Sequence, residues 1–198
     1  MKTRIFFNSY ADPVPARDAE LKLCLKKNRE CKSVDEVVLM DGRPTFNQFF
    51  ARIAEVAGPD DISIIINSDV WLNGTIDAAK SMRADEAYTL TRWDVQAVGD
   101  PIFFGRKDSA DTWIIRGKPR PMKANFGLGI PGCDNRIAAI LADAGYVVSN
   151  PSLTIRTYHV HLSEIRRQGK MPWQIIPKPY LLIEPHMLGI EPKLSWCR

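Results

Sequence analysis

Five consecutive residues, Ile62-Ser-Ile-Ile-Ile66, carry four isoleucines and then break abruptly into Asn67-Ser68-Asp69. Apolar, β-branched side chains at nearly every position suit a strand buried on both faces, as in the middle of a sheet covered by helices. The break places a carboxylate just past the end of that strand. In an open α/β sheet ligands bind in the crevice beyond the carboxyl ends of the strands, so Asp69 stands where a metal–phosphate group is held. The same three residues also read as a plain Asn-Ser-Asp turn, and the stretch by itself leaves both readings open.

The neighbouring segments alternate. Ile5-Phe6-Phe7, within Lys2 to Tyr10, predicts a buried strand feeding a loop at Asn8 to Pro13. Apolar positions among charges predict an amphipathic helix from Ala16 to about Cys31, and Val34 to Met40 reads as a second strand. Arg43-Pro44-Thr45 opens a helix through Phe46, Phe49, Phe50, Ile53 and Val56, stopped at Gly58-Pro59. Three strands with two helices between them imply a parallel sheet with right-handed crossovers, a Rossmann-like layer. Beyond Trp71 the pattern predicts a short helix at Thr75 to Lys80, a strand within Glu86 to Trp93, a loop from Phe103 to Asp111 and a strand at Trp113 to Ile115. A helix from Asn135 to Ala144, a strand at Tyr146 to Val148 and a last strand from Leu153 to Leu162 follow, and the proline-rich tail from Gly169 lacks periodicity. The basic run Arg116 to Lys123 reads either as an exposed loop or as an arm over a phosphate-bearing substrate.

A chain of 198 residues with 45% hydrophobic content supports one domain with a real core. No apolar run reaches the length of a signal peptide core or a membrane span, so a soluble, cytoplasmic protein is expected. Cys24, Cys31, Cys133 and Cys197 form no CxxC pair, and reduced thiols are expected. A net charge of +4 is compatible with polyanionic ligands but usual for a solvated surface.

The order of several short motifs resembles the GT-A fold of nucleotide-sugar glycosyltransferases, most closely a small bacterial and phage group of family-2-like enzymes. The matching residues are the Arg17-Asp-Ala-Glu-Leu helix, Arg43-Pro-Thr-Phe46, Asn67-Ser-Asp-Val70, Asp111-Thr-Trp113, Pro131-Gly-Cys-Asp-Asn-Arg136, Asn150-Pro-Ser152 and His159-Val-His161, spanning Ile5 to Arg166. The resemblance implies a single GT-A domain over 1–198 with a mostly parallel central sheet flanked by helices. Residues 1–95 form its nucleotide-binding half, 96–168 its acceptor and catalytic half, and 169–198 an irregular tail.

In that family an Asp-X-Asp after the strand holds a divalent cation that bridges the donor's diphosphate. Here the first acid is Asn67, and with Ser68 only Asp69 keeps the charged position. One carboxylate holds Mg²⁺ or Mn²⁺ poorly unless other groups complete the shell. The family's late histidine ligand matches His159 or His161, which strand alternation puts on one face about 7 Å apart. Imidazole beside carboxylate favours Mn²⁺. Two histidines on a strand also read as plain packing or surface residues. Without a second copy around His186, His161-Leu-Ser163 does not make a two-histidine phosphoesterase.

The resemblance also implies a general base at Asp134, with Asp111 as the second candidate, and places Tyr10 and Asp12, then Asp41 or Arg43, around the nucleoside. Asp134 reads equally as a helix N-cap, and Asp111 equally as a loop residue beside a buried Trp113. The implied partners are a nucleotide-sugar donor and a hydroxyl acceptor, a glycan or a modified nucleic acid. Two other functions fit a similar layer: a nucleotidyltransferase, which would want a glycine-rich phosphate loop that Asn8 to Asp12 lacks, and a nucleotide-binding domain without catalysis.

Overall fold

The computed structural model describes residues 1–163 and 175–198. In chain order its elements are β1 (Thr3–Ser9), α1 (Pro15–Glu30), β2 (Glu36–Asp41), α2 (Phe46–Val56), β3 (Ile62–Ile66), β4 (Val70–Leu72), a 3-10 helix at Gly74–Ser81, β5 (Glu86–Leu90), β6 (Trp93–Asp94), β7 (Ile102–Phe103), β8 (Thr112–Arg116), α3 (Cys133–Asp143), β9 (Val147–Ser149), β10 (Thr157–His159), β11 (Tyr180–Ile183) and β12 (Leu194–Cys197).

All five residues of β3 are buried, as their composition demands, and β3 lies inside a six-stranded sheet of order β2-β1-β3-β8-β5-β9. Contacts β1–β2, β1–β3 and β5–β9 are parallel, whereas β8 is antiparallel to both β3 and β5. The fold is therefore mixed α/β, with five strands running one way and one running back. The reversal of β8 falls outside the three strands to which strand–helix alternation applies, and those three are parallel. Its cause is local: no helix separates β5 from β8, so the chain re-enters the sheet from the end where β5 left it, and only an antiparallel strand can do so.

Strand alternation sorts the core into two layers. Phe6, Ile65, Trp113 and Ile115 face α2 and α3, while Ile5, Phe7, Ile62, Ile64, Ile66 and Ile114 face Cys24 of α1 and Ile76 and Ala79 of the 3-10 helix. Helix α2 is fixed at its start by a capping box, in which Thr45 N–H donates to Gln48 Oε1 at 2.8 Å and Gln48 N–H to Thr45 Oγ1 at 3.4 Å. Phe46 then meets Trp113 edge-on at 5.0 Å between ring centroids. Among the described residues no helix is long and apolar enough to cross a membrane.

Two expectations change. The strand predicted from Leu153 to Leu162 is only Thr157–His159, because Thr154 and Ile155 N–H both turn back to the Pro151 carbonyl. This strand leaves the main sheet and joins a smaller one of order β4-β10-β6-β7. The tail predicted to be irregular over 169–198 contains, in its described part, the antiparallel pair β11–β12. Leu181 and Ile183 are buried in the core layer that contains α3. A four-residue alternation between prolines is too short to stand out in sequence; its burial comes from the helix it meets. Gly169, where the tail was placed, and Arg166 lie outside the described residues.

The tail also braces the start of α3. Tyr180 Oη donates to the Ile176 carbonyl, Ile176 N–H donates to Pro131 O at 2.9 Å, and Arg136 reaches Pro179 O at 3.2 Å. Between them sits Gly132, the N-cap of α3, with φ of 85°. A Cβ there would lie 2.8 Å from Tyr180 Oη and 3.0 Å from Ile176 O. Gly132→Ala should therefore destabilise the protein by about 2 kcal/mol or more, through both left-handed strain and the clash. Tyr180→Phe in the same background should recover only part of the loss in thermal melts, since the backbone strain and the Ile176 contact remain.

Candidate active site

The chain leaves β3 through a turn in which Val70 N–H donates to Asn67 O at 3.1 Å, and this turn starts β4. Ser68, a candidate donor-binding residue, instead fastens the turn to the first strand, its hydroxyl donating to Asn8 O at 2.7 Å. Asp69 is thereby held at the sheet end with its carboxylate turned towards two nitrogen groups. One is the Arg17 guanidinium, which ion-pairs with Asp69 and also donates to Glu20 at 2.7 Å and to the Val160 carbonyl at 2.9 Å. The other is His159, whose Nε2 lies 3.3 Å from Asp69 Oδ2.

Register explains why residues 90 apart in sequence meet here. In the small sheet, His159 pairs with Val70 on the antiparallel side and with Asp94 on the parallel side. Its ring thus lies between Asp69 and Asp94, and its Nδ1 is 2.8 Å from Asp94 Oδ1. His161 follows on the same face, its ring stacked on His159 with centroids 5.7 Å apart. Asp69, His159 and His161 each offer an atom within 4.8 Å of the others.

Electrostatics divides these groups. Burial disfavours the Asp69 carboxylate, but His159 and Arg17 more than compensate and hold its pKa well below the ordinary value. Burial likewise opposes charge on His159, and Asp69 overcomes it, so this imidazole's pKa is raised. His161 goes the other way, lowered by burial and by Arg17 and His159. Its Nε2 is buried and has no hydrogen-bond partner.

A second acidic centre adjoins the first. Asp111, at the entrance to β8, accepts from Asn67 Nδ2 at 2.7 Å and from Arg92 Nη1 at 3.0 Å. Arg92 also donates through Nε to Asp94 at 2.8 Å, which joins this centre to His159. Asp134 enters from α3; its carboxylate accepts from Ala110 N–H at 3.3 Å and from the Cys133 thiol at 3.0 Å. It does not cap the helix, since Gly132 occupies the N-cap and no side chain caps it. Burial, and then the negative charge of Asp111, raise the Asp134 pKa to about 7.

The nucleoside candidates lie along the same end of the sheet. Tyr10 is half-buried, close enough for Asp69 and Arg17 to affect its phenol, with the Arg43 guanidinium 5.7 Å from its ring centroid. Asp41 is exposed at the end of β2, in register with Ser9. Asp12 shapes the loop into α1, accepting from Val14 N–H at 2.9 Å. The basic run is not gathered here. Because β8 runs backwards, it delivers Arg116 to the far end, where it pairs with Asp60 at 2.7 Å, and Arg120 closes the C-terminus of α3 at Gly145 O.

Sequence reasoning passed over Arg92 and Asp94, and used Arg17 and Glu20 only as parts of a motif. Arg92 and Asp94 gave no signal beyond lying at the end of a predicted strand. The network sets four carboxylates, of Glu20, Asp69, Asp94 and Asp111, against Arg17, Arg92 and His159.

No protein-family model matches the chain, and no curated protein matches it. Among solved structures it is similar to the crystal structure of a glycosyltransferase involved in the glycosylation of the major capsid of PBCV-1. The TM-score is 0.33 at 10% identity, over 59% of this chain and 60% of that one. The chain thus spans less than two thirds of that structure's length, and a likeness this distant carries no assignment of activity.

The contact between Asn67 and Asp111 gives a physical reason for the missing first acid. An aspartate at 67 would set carboxylate against carboxylate where an amide now donates at 2.7 Å. Asn67→Asp should cost on the order of 2 kcal/mol at pH 8. The repulsion raises a carboxyl pKa in the folded state, so the loss should shrink as pH falls and that group protonates. Urea melts of the variant and the parent at pH 5 and pH 8 measure this directly.

Proposed function

We propose that the protein is a glycosyltransferase that moves a sugar from a nucleotide diphosphate to a hydroxyl acceptor, with a divalent cation at Asp69, His159 and His161 and with Asp134 as the base of an inverting reaction. The observation that carries the reading is the meeting, at one end of the sheet, of a three-residue ligand set and a half-buried acid of raised pKa near Asp111, which Arg92 ties to Asp94 beside the histidine.

Three features favour a cation. His161 Nε2 is a buried nitrogen without a partner. His159 has its Nδ1 committed to a carboxylate, the arrangement that commonly turns Nε2 of a metal-ligating histidine outward. The network's four carboxylates outnumber the guanidiniums of Arg17 and Arg92 by two, the charge that a divalent ion supplies. Two nitrogens and one oxygen suit Mn²⁺ better than Mg²⁺. The ion, when bound, supplies positive charge to the departing diphosphate. Arg17, fixed by Glu20 and the Val160 carbonyl, adds a second positive charge on the same side. Tyr10 and Arg43 flank the nucleoside, with Asp12 shaping the loop below them and Asp41 at the rim. Asp134 takes the acceptor's proton, and a base whose pKa lies near the working pH is well matched to that step.

The nucleotidyltransferase alternative is disfavoured by the path after β1, which carries Asn8, Tyr10 and Asp12 where a glycine-rich phosphate loop would be needed. A binding domain without turnover is separated from the proposal by experiment. Thermal shifts with a panel of nucleotide sugars should show stabilisation that requires Mn²⁺, lost in Asp69→Asn and His161→Ala. Nucleotide binding that ignores Mn²⁺ in the parent protein overturns the metal assignment, and metal-dependent binding with no hydrolysis or transfer overturns the enzyme.

Asp134 gives a prediction with two independent signs. Asp134→Asn should lower the transfer rate by roughly 10²- to 10⁴-fold with donor affinity unchanged. In the parent, the folded-state pKa of about 7 lies above the unfolded value, so the fold binds this proton more tightly and loses stability as pH rises towards 7. An amide does not titrate. The variant should therefore gain stability relative to the parent between pH 5 and pH 8, which paired chemical denaturation at the two pH values reads.

A further inference from the structure

Asp94 lies outside the ligand set and outside the acid pair, yet it touches the machinery of both. It is the Cα partner of His159 in the β6–β10 pairing, so the register of two short strands puts the carboxylate beside the ring. The next backbone contact, Val95 N–H to His159 O at 2.9 Å, locks that register. Asp94 Oδ1 is 2.8 Å from His159 Nδ1 and accepts from Arg92 Nε at the same distance of 2.8 Å. Arg92 is itself held from three directions: by Asp94, by Asp111 at 3.0 Å, and by the Phe104 ring, whose centroid is 4.1 Å from the guanidinium carbon. The acceptor oxygen is thus not free to move, and neither is the ring that donates to it.

We propose that Asp94 is a positioning residue for His159, with Arg92 as its anchor. The neutral ring has one proton for two carboxylates, and the closer contact, 2.8 Å from Nδ1 to Asp94 against 3.3 Å from Nε2 to Asp69, places it on Nδ1 and leaves the Nε2 lone pair for a ligand. Without Asp94 the remaining acceptor is Asp69, which draws the proton to Nε2. Through Arg92 the Asp94 oxygen is tied to Asp111, so the histidine and the acid pair are kept in one fixed relation. The consequence for metal affinity rests on the cation reading above; the tautomer does not.

The test uses the full chain, ¹⁵N-labelled at histidine, in its metal-free form, at a pH above the point where the ring nitrogen shifts stop changing. In the parent, His159 should show the Nδ1–H tautomer by its ring nitrogen shifts. Asp94→Ala should lose that preference, whereas Asp94→Asn should retain it, because Arg92 Nε orients the amide with its oxygen towards the ring. Mn²⁺ affinity by calorimetry should fall roughly 10- to 100-fold in Asp94→Ala and much less in Asp94→Asn. An unchanged tautomer in Asp94→Ala overturns the positioning role. If the alanine variant does not fold, loss of the Nδ1–H tautomer in Arg92→Met, which frees the carboxylate, supports the role, and its retention there overturns the anchor. A parent that binds no Mn²⁺ but shows the predicted tautomer change removes the cation reading and leaves the role of Asp94 standing.

Discussion

A largely enclosed carboxylate at the end of a central strand, Asp69, is the constraint around which this end of the molecule is arranged. A charge taken out of water is costly unless it is paired and hydrogen-bonded, and the cost is large against the net stability of a domain. Asp69 is met by a guanidinium from α1 and an imidazole from β10, and each of those groups has its own second carboxylate, Glu20 for Arg17 and Asp94 for His159. The requirement passes outward through Arg92 to Asp111, so the network grows until it reaches the second acidic centre. Satisfying one charge thus organises segments from four separate parts of the chain.

The secondary sheet exists to make this possible. Its strands are two or three residues long, too short to be stable alone, and they are held by the turn after β3 and by the main sheet beneath. Their register is what matters, since a slip of one residue would move His159 to the opposite face. The C-terminal hairpin does a comparable service for Asp134, seating the start of α3 with contacts that leave room for no side chain at Gly132. Asn150 serves the same end, with its amide bonded to Thr91 and to Ile183 O at 3.2 Å, which ties the tail to the end of β5.

Two carboxylates in one small region have different surroundings. Asp111 has an arginine and an amide to accept from, whereas Asp134 has one backbone N–H, one thiol and the charge of Asp111 beside it. Burial, and then that neighbouring charge, raise the Asp134 pKa to about 7.

The amino-acid sequence by itself determined the central layer. Ile62 to Ile66, Ile5 to Phe7 and the helix from Phe46 to Val56 are long or apolar enough that burial and periodicity leave one solution, and their polar ends mark the side of the sheet where Asp69 and Tyr10 stand. What only the tertiary structure decided are the features that depend on register and on partners distant in the chain. The reversal of β8, the removal of Arg116 and Arg120 from the site, the shortening of the last strand to Thr157–His159 and the hairpin in the tail all follow from which neighbour each segment meets. So do the roles of Arg17, Glu20, Arg92 and Asp94. A charged residue at the end of a strand carries no mark of its partner in sequence, because an ion pair is chosen by three-dimensional proximity and by the desolvation it relieves, and neither has a period.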